Sequence, residues 1–165
     1  DLGSRGLGDV YKRQGMAFAK SQIGSGSRIP TEGSVFVSVK DSDKDKILNP
    51  VSDLFSLGFD IYATHGTAEF LNNNNIQTKK INKVLQGSPH IVEMISEKKI
   101  SLVLNTTETP QAIKDSKSIR RSALESETPY YTTVSGANAV VMAIKAIKNN
   151  EISIKTIQSF GQLLS

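Results

Sequence analysis

The chain has 165 residues, 38% of them hydrophobic and 22% charged, with a formal net charge of +4. That length holds one domain with a hydrophobic core, and the balance is that of a folded globular protein rather than a disordered one. Cysteine is absent and the histidines are His65 and His90 alone, which excludes disulfides, thiolate metal sites and a cysteine nucleophile and argues against a histidine metal cluster. The basic residues are scattered rather than gathered with aromatics as a nucleic-acid surface requires, and the mild excess suits a small anionic ligand.

Residues 1–14 are Gly-rich and show neither helical nor strand periodicity, so they read as a tail. The first twenty residues lack the compact apolar stretch of a secretory signal, no run approaches the roughly 20 apolar residues of a membrane span, and a cytoplasmic setting is expected. The run SQIGSGSRIPTEG (21–33) has the Gly, Ser and Pro content of a linker, placing the start of the folded unit near Ser34. VFVSV (35–39) predicts a buried strand. Ile47, Val51, Leu54 and Phe55 then follow at helical spacing until Gly58, with Pro50 either kinking that helix or starting it on an Asn49 cap. DIYAT (60–64) predicts a second strand and residues 67–71 a helix, with the Asn72 to Asn75 run as the turn after it. TKKIN (78–82) reads as a third strand, 91–95 as a short helix, LVLNT (102–106) as a fourth strand, 115–125 as a helix and YYTTV (130–134) as a fifth strand. Ala137, Val140, Val141, Ile144 and Ile147 form one apolar helical stripe. Strands and helices alternating in this way predict an α/β fold with a mostly parallel sheet covered on both faces.

In such a sheet ligands bind beyond the carboxyl ends of the strands, where helix N-termini present free backbone N–H groups. After the first strand comes Lys44. After the second come Thr64, Gly66 and Thr67 at a strand-to-helix turn. Lys83 follows the third, and Asn105, Thr106 and Thr107 the fourth. Cations, hydroxyl donors and a glycine turn converging on one edge are what a phosphate requires. The same types also serve as helix caps or solvated charges, and neither GxxxxGK[ST] nor GxGxxG is present. His65 reads more readily as a turn residue than as a ligand. No GxSxG elbow occurs, Ser38 has no histidine in sequence context, and Glu93, Glu97 and Glu125 fall on helix faces, so no acid and base pair stands out.

The segments SVKDSDKDK, GFDIYATHGTAEFL, INKVLQGSPHIVEMI, LVLNTTE, DSKSIRRSALE and PYYTTVSGA, in this order and spacing, resemble the allosteric domain that ends the large subunit of carbamoyl-phosphate synthase. The resemblance covers residues 17–147. It implies the methylglyoxal-synthase-like fold, a three-layer α/β/α, Rossmann-like arrangement around a five-stranded, mostly parallel sheet. It also implies a regulatory nucleotide, UMP or IMP, held by Ser38, Lys44, Thr64, Gly66, Thr67, Lys83, Asn105, Thr106 and Thr107. Tyr130 and Thr132 match positions that help hold ornithine. GMAFAKSQ looks like the junction with a preceding synthetase domain, so 15–33 is expected to be linker, 34–150 the regulatory domain, 151–165 an extension, and 1–14 foreign to the family. The implied context is a glutamine-hydrolysing ligase of pyrimidine and arginine biosynthesis with a small glutaminase subunit. ATP and Mg belong to its synthetase domains, and no cofactor is expected in this one. Methylglyoxal synthase, a lyase acting on dihydroxyacetone phosphate, is the rival within the fold. NKVLQGSPH stands in place of its Gly-Pro-x-Gly-Gly-Asp segment, and Thr106 and Thr107 stand in place of the aspartate after its fourth strand. The cyclohydrolase domain of purine synthesis shares the Gly-Thr turn but fits the NKV and NTT segments less well.

Overall fold

β1 (Ser34–Ser38), β2 (Asp60–Ala63), β3 (Thr78–Lys80), β4 (Leu102–Asn105) and β5 (Tyr130–Tyr131) pair in parallel, in the order β3-β2-β1-β4-β5. This is the architecture of a computed structural model, which describes residues 4–107, 110–149 and 161–164. The chain divides into two units, Glu32–Ala137 and, together, Asp1–Thr31 with Asn138–Ser165.

The larger unit carries the sheet. Strand side chains alternate between faces, and the register aligns Tyr62, Phe36, Val103 and Tyr130 in one row across β2, β1, β4 and β5. This row packs with Ile91 and Ile95 of α4 (Ile91–Ser96) and with Ile119 and Ala123 of α5 (Pro110–Glu125). Val35, Val37, Ile61, Ala63, Leu102 and Leu104 point the other way and are buried as well. On that face lie α2 (Lys44–Ser56) and α3 (His65–Asn73), whose Ile47, Val51, Leu54, Ala68 and Leu71 are buried. The expected α/β architecture is thus present, with every described pairing parallel and helices on both faces. The strand order doubles back at β1, where β2 and β4 flank it. Ser38 and Asn105, which are register partners, mark the carboxyl end of that switch point.

In the smaller unit, Ala19 of α1 (Ser4–Gly24) is buried with Ala143, Ala146 and Ile147 of α6 (Val134–Lys148), and Met16, Phe18, Ile23 and Ile29 pack against them. A Cβ on Gly15 would stand 2.6 Å from the Met142 carbonyl oxygen, so that glycine permits close helix-to-helix approach.

Two elements depart from expectation, and a third decides between alternatives. Residues 4–24 form a helix where the tail and part of the linker were expected. Glycines and alanines that serve close packing resemble linker composition, and no strong apolar stripe marks the helix. The α2 helix begins at Lys44 and runs through Pro50 rather than starting there. The carbonyl of Lys46, which loses its amide partner to the proline ring, belongs to a residue exposed to water. β5 stops at Tyr131, because Thr133 Oγ1 accepts from the backbone N–H of Gly136 at 3.0 Å and so caps α6 instead of extending the strand. The proposed extension at 151–165 lies outside the described residues except for 161–164, which are helical. Among the described residues no helix is long and apolar enough to cross a membrane. No group of three or more His, Asp or Glu among them is placed to hold a metal ion.

Candidate functional site

The loop leaving β1 is fixed by the elements on either side of it. The Val39 backbone N–H donates to Thr67 Oγ1 at 3.3 Å, and that of Lys40 donates to Thr106 Oγ1 at 3.0 Å. Each threonine therefore accepts from the backbone and still has its own hydroxyl proton to offer. Ser38 and Thr64 hydroxyls lie 3.2 Å apart and share one hydrogen bond. These contacts bind the ends of β1, β2 and β4 into one rim, and Thr64, Thr67, Asn105 and Thr106 are buried in it.

On this rim opens a cavity of about 320 Å³, within the usual range for small-molecule sites. Its lining contains Lys44, Thr64, Gly66, Thr67, Lys83, Thr106 and Thr107, the residues picked out after the strands apart from Asn105, together with Ser38, which only the family resemblance had named. Asn105 instead lines an adjoining recess that shares Ser38, Thr64, Lys83, Thr106 and Thr107 and adds Asp115, Ser116 and Ile119. Of the two positions matched to ornithine, Tyr130 lines neither space, but its hydroxyl accepts from Asn105 Nδ2 at 2.8 Å. Thr132 is exposed just past β5 and lines neither space.

Thr64 is the residue before α3, and the helix starts at His65. The first-turn N–H groups of an α-helix have no partner within it, so this end brings donors and a partial positive charge to the cavity wall. A Cβ added at Gly66 would stand 3.8 Å from Lys44 Nζ, in the space between helix end and ammonium. Lys44 is only partly exposed, lies 6.0 Å above the Phe70 ring centre, and is paired with the exposed Asp41 carboxylate at 2.7 Å. Lys83 is set by its own backbone, whose N–H donates to Gln86 Oε1 at 2.8 Å at the start of a short 3-10 turn.

Sequence reasoning did not pick out Lys40, Asp41, Gln86, Asp115 and Ser116, all of which line one of the two spaces. A search for donors just past the strands passes over carboxylates, and Asp115 and Ser116 lie inside α5, beyond the few residues that directly follow β4. His65 lines the cavity as well.

A doubly wound parallel sheet with a donor-rich cavity at its switch point defines a Rossmann-like α/β domain. A family model described as an MGS-like domain matches residues 46–132, and the chain belongs to that family. Among its relatives is the carbamoyl phosphate synthase large chain of Brucella suis biovar 1 (strain 1330), 47% identical over 145 residues, or 88% of this chain. The large chain of Rhizobium meliloti (strain 1021) is 48% identical over 88% of this chain, and that of Methanobrevibacter smithii is 47% identical over 90%. The chain spans 12% of the length of the Brucella and Rhizobium proteins and 14% of that of the Methanobrevibacter protein. The crystal structure of methylglyoxal synthase from Elizabethkingia anophelis NUHP1 superposes with a TM-score of 0.56 at 18% identity, covering 68% of this chain and 79% of that one. That likeness is one of fold.

Proposed function

We propose that this domain binds a nucleoside monophosphate, UMP or IMP, and regulates a carbamoyl phosphate synthase large chain, the protein its relatives are named for. The observation that carries this reading is the convergence of Lys44, Lys83, the α3 N-terminus and the Thr67 and Thr106 hydroxyls on one cavity. Two ammonium groups offset a phosphoryl charge, and the hydroxyl and backbone donors serve its oxygens. The two nucleotides share that group, so both use the same contacts. Ornithine would sit beyond the recess, near Tyr130 and Thr132.

No catalytic role is assigned to the domain. Proton abstraction needs a base directed at its substrate. Of the carboxylates lining the two spaces, Asp41 is paired with Lys44, and Asp115 accepts from Gln111 Nε2 at 3.0 Å. In the full-length protein, ATP and Mg would act in a preceding synthetase domain working with a small glutaminase subunit, supplying pyrimidine and arginine biosynthesis. The domain would act there by binding its nucleotide with different affinity in two states of the whole enzyme.

A charge-assisted hydrogen bond contributes roughly 1.5 to 3 kcal/mol. Lys44→Ala and Lys83→Ala should therefore each weaken UMP or IMP binding by about tenfold or more in titration calorimetry. Wild-type affinity in both variants would place the ligand elsewhere.

A further inference from the structure

The pairing of Asp41 with Lys44 is set by the backbone between them. Asp41–Asp43 form a 3-10 turn, and the Lys44 N–H donates to the Asp41 carbonyl at its end. Side chains three residues apart eclipse in such a turn, which puts the Asp41 carboxylate on the Lys44 ammonium at 2.7 Å. The turn is itself held. The Asp43 N–H donates to the Lys40 carbonyl at 3.0 Å, and the Lys40 N–H donates to Thr106 Oγ1 at 3.0 Å. Asp41 is the sole carboxylate among the described residues lining the cavity, where Lys40, Lys44 and Lys83 supply positive charge. Its side chain is 89% exposed and that of Lys44 only 25%.

We infer that Asp41 is a built-in counter-ion, competing with the ligand for the Lys44 ammonium, so that an anion enters the site by displacing a carboxylate the chain itself supplies. A group tethered three residues away competes at high effective concentration. Because Asp41 stands in water on its outer side, it can rotate away fully hydrated while the pinned turn stays in place. The contest weakens every anion that uses Lys44 by a similar factor and moves the response to higher ligand concentration. A lone carboxylate offers Lys44 no more than Asp41 already does. Exchange favours a group whose further oxygens also reach the α3 N-terminus and the Thr67 and Thr106 hydroxyls, as those of a phosphoryl group would.

This inference rests on the proposed anion site, and the experiment separates the two. Titration calorimetry on the full chain would measure inorganic phosphate and UMP. Asp41→Asn should tighten both by about three- to fivefold, the span of the stronger exposed ion pairs. Asp41→Ala, which brings no new donor to a phosphoryl oxygen, should give the same gain. Asp45→Asn removes the same charge from an exposed residue outside the cavity lining and should change affinity by less than about 1.5-fold. In a Lys44→Ala background the carboxylate has nothing to compete for, so the gain from Asp41→Asn should fall to less than about twofold. If both Asp41 variants keep wild-type affinity, if Asp45→Asn gains as much, or if the gain survives undiminished without Lys44, there is no exchange and the anion site stands. If neither wild type nor Asp41→Asn binds phosphate or UMP, both readings fall.

Discussion

Gly33, immediately before β1, has φ +114°, a region that residues with a Cβ rarely enter, and a Cβ built there would collide with Ser101 Oγ. The turn matters because it sets the entry of the central strand, with the Gly33 carbonyl accepting from the Asp60 N–H at 3.1 Å. Gly33→Ala should destabilise the fold by about 1 to 3 kcal/mol, read as a lower urea midpoint with unchanged slope. In the sequence Gly33 is simply the last residue of a linker-like run, and nothing there separates an obligatory glycine from a flexible one. The cavity residues were more legible. Lys44, Thr64, Thr67, Lys83 and Thr106 follow strands whose β-branched runs are plain, and the fold rule converts that position into a place on one edge. Asp41 was not legible, because a carboxylate three residues before a lysine reads as an ordinary surface pair until the lysine is seen at a cavity wall.

At the scale of elements, α4 shows how a short helix is held by its start. His90 Nδ1 accepts from the Glu93 N–H at 3.3 Å, while Glu93 Oε2 accepts from the His90 N–H at 3.0 Å and the Ser88 hydroxyl at 2.9 Å, forming a capping box with histidine as the cap. The His90 backbone donor chiefly, and then Ser88, hold the Glu93 carboxyl below its ordinary value of 4.5. A depressed folded-state pKa gives stability that is present above the unfolded value and lost as pH falls through the folded one. The melting-temperature advantage of wild type over Glu93→Gln should therefore be full near neutral pH and shrink as the pH is lowered below 4.5. An equal advantage down to about pH 3 would remove the carboxylate from the account. The sequence placed this helix correctly because Ile91 and Ile95 recur at i and i+4 and are buried. It misplaced the end of β5 because Thr132 and Thr133 have strand propensity, whereas a threonine hydroxyl beside a free helix N–H is a cap. The same limit hid α1, whose Gly15 and Ala19 signal packing only once the neighbouring helix is known.

For the molecule as a whole, alternation of strand and helix gave the parallel sheet, but the order β3-β2-β1-β4-β5 depends on which edge each crossover joins, and no local pattern encodes that choice. The order is what brings Ser38 and Asn105 side by side. A ligand seated there touches residues from β1, β2 and β4 that are far apart in the chain, and so binds the folded state alone. UMP at about one hundred times its dissociation constant should raise unfolding stability by about 2.7 kcal/mol, measured as a shift in the urea midpoint. No shift under those conditions would mean that the nucleotide also binds the unfolded chain or does not occupy the cavity.

The row formed by Tyr62, Phe36, Val103 and Tyr130 runs from this edge of the sheet's chemistry into its interior. Its last ring leans on oily neighbours through its carbons and grips Asn105 through its oxygen. One residue of this domain thus belongs both to the greasy interior, by its ring, and to the wall of the cleft, by its hold on Asn105.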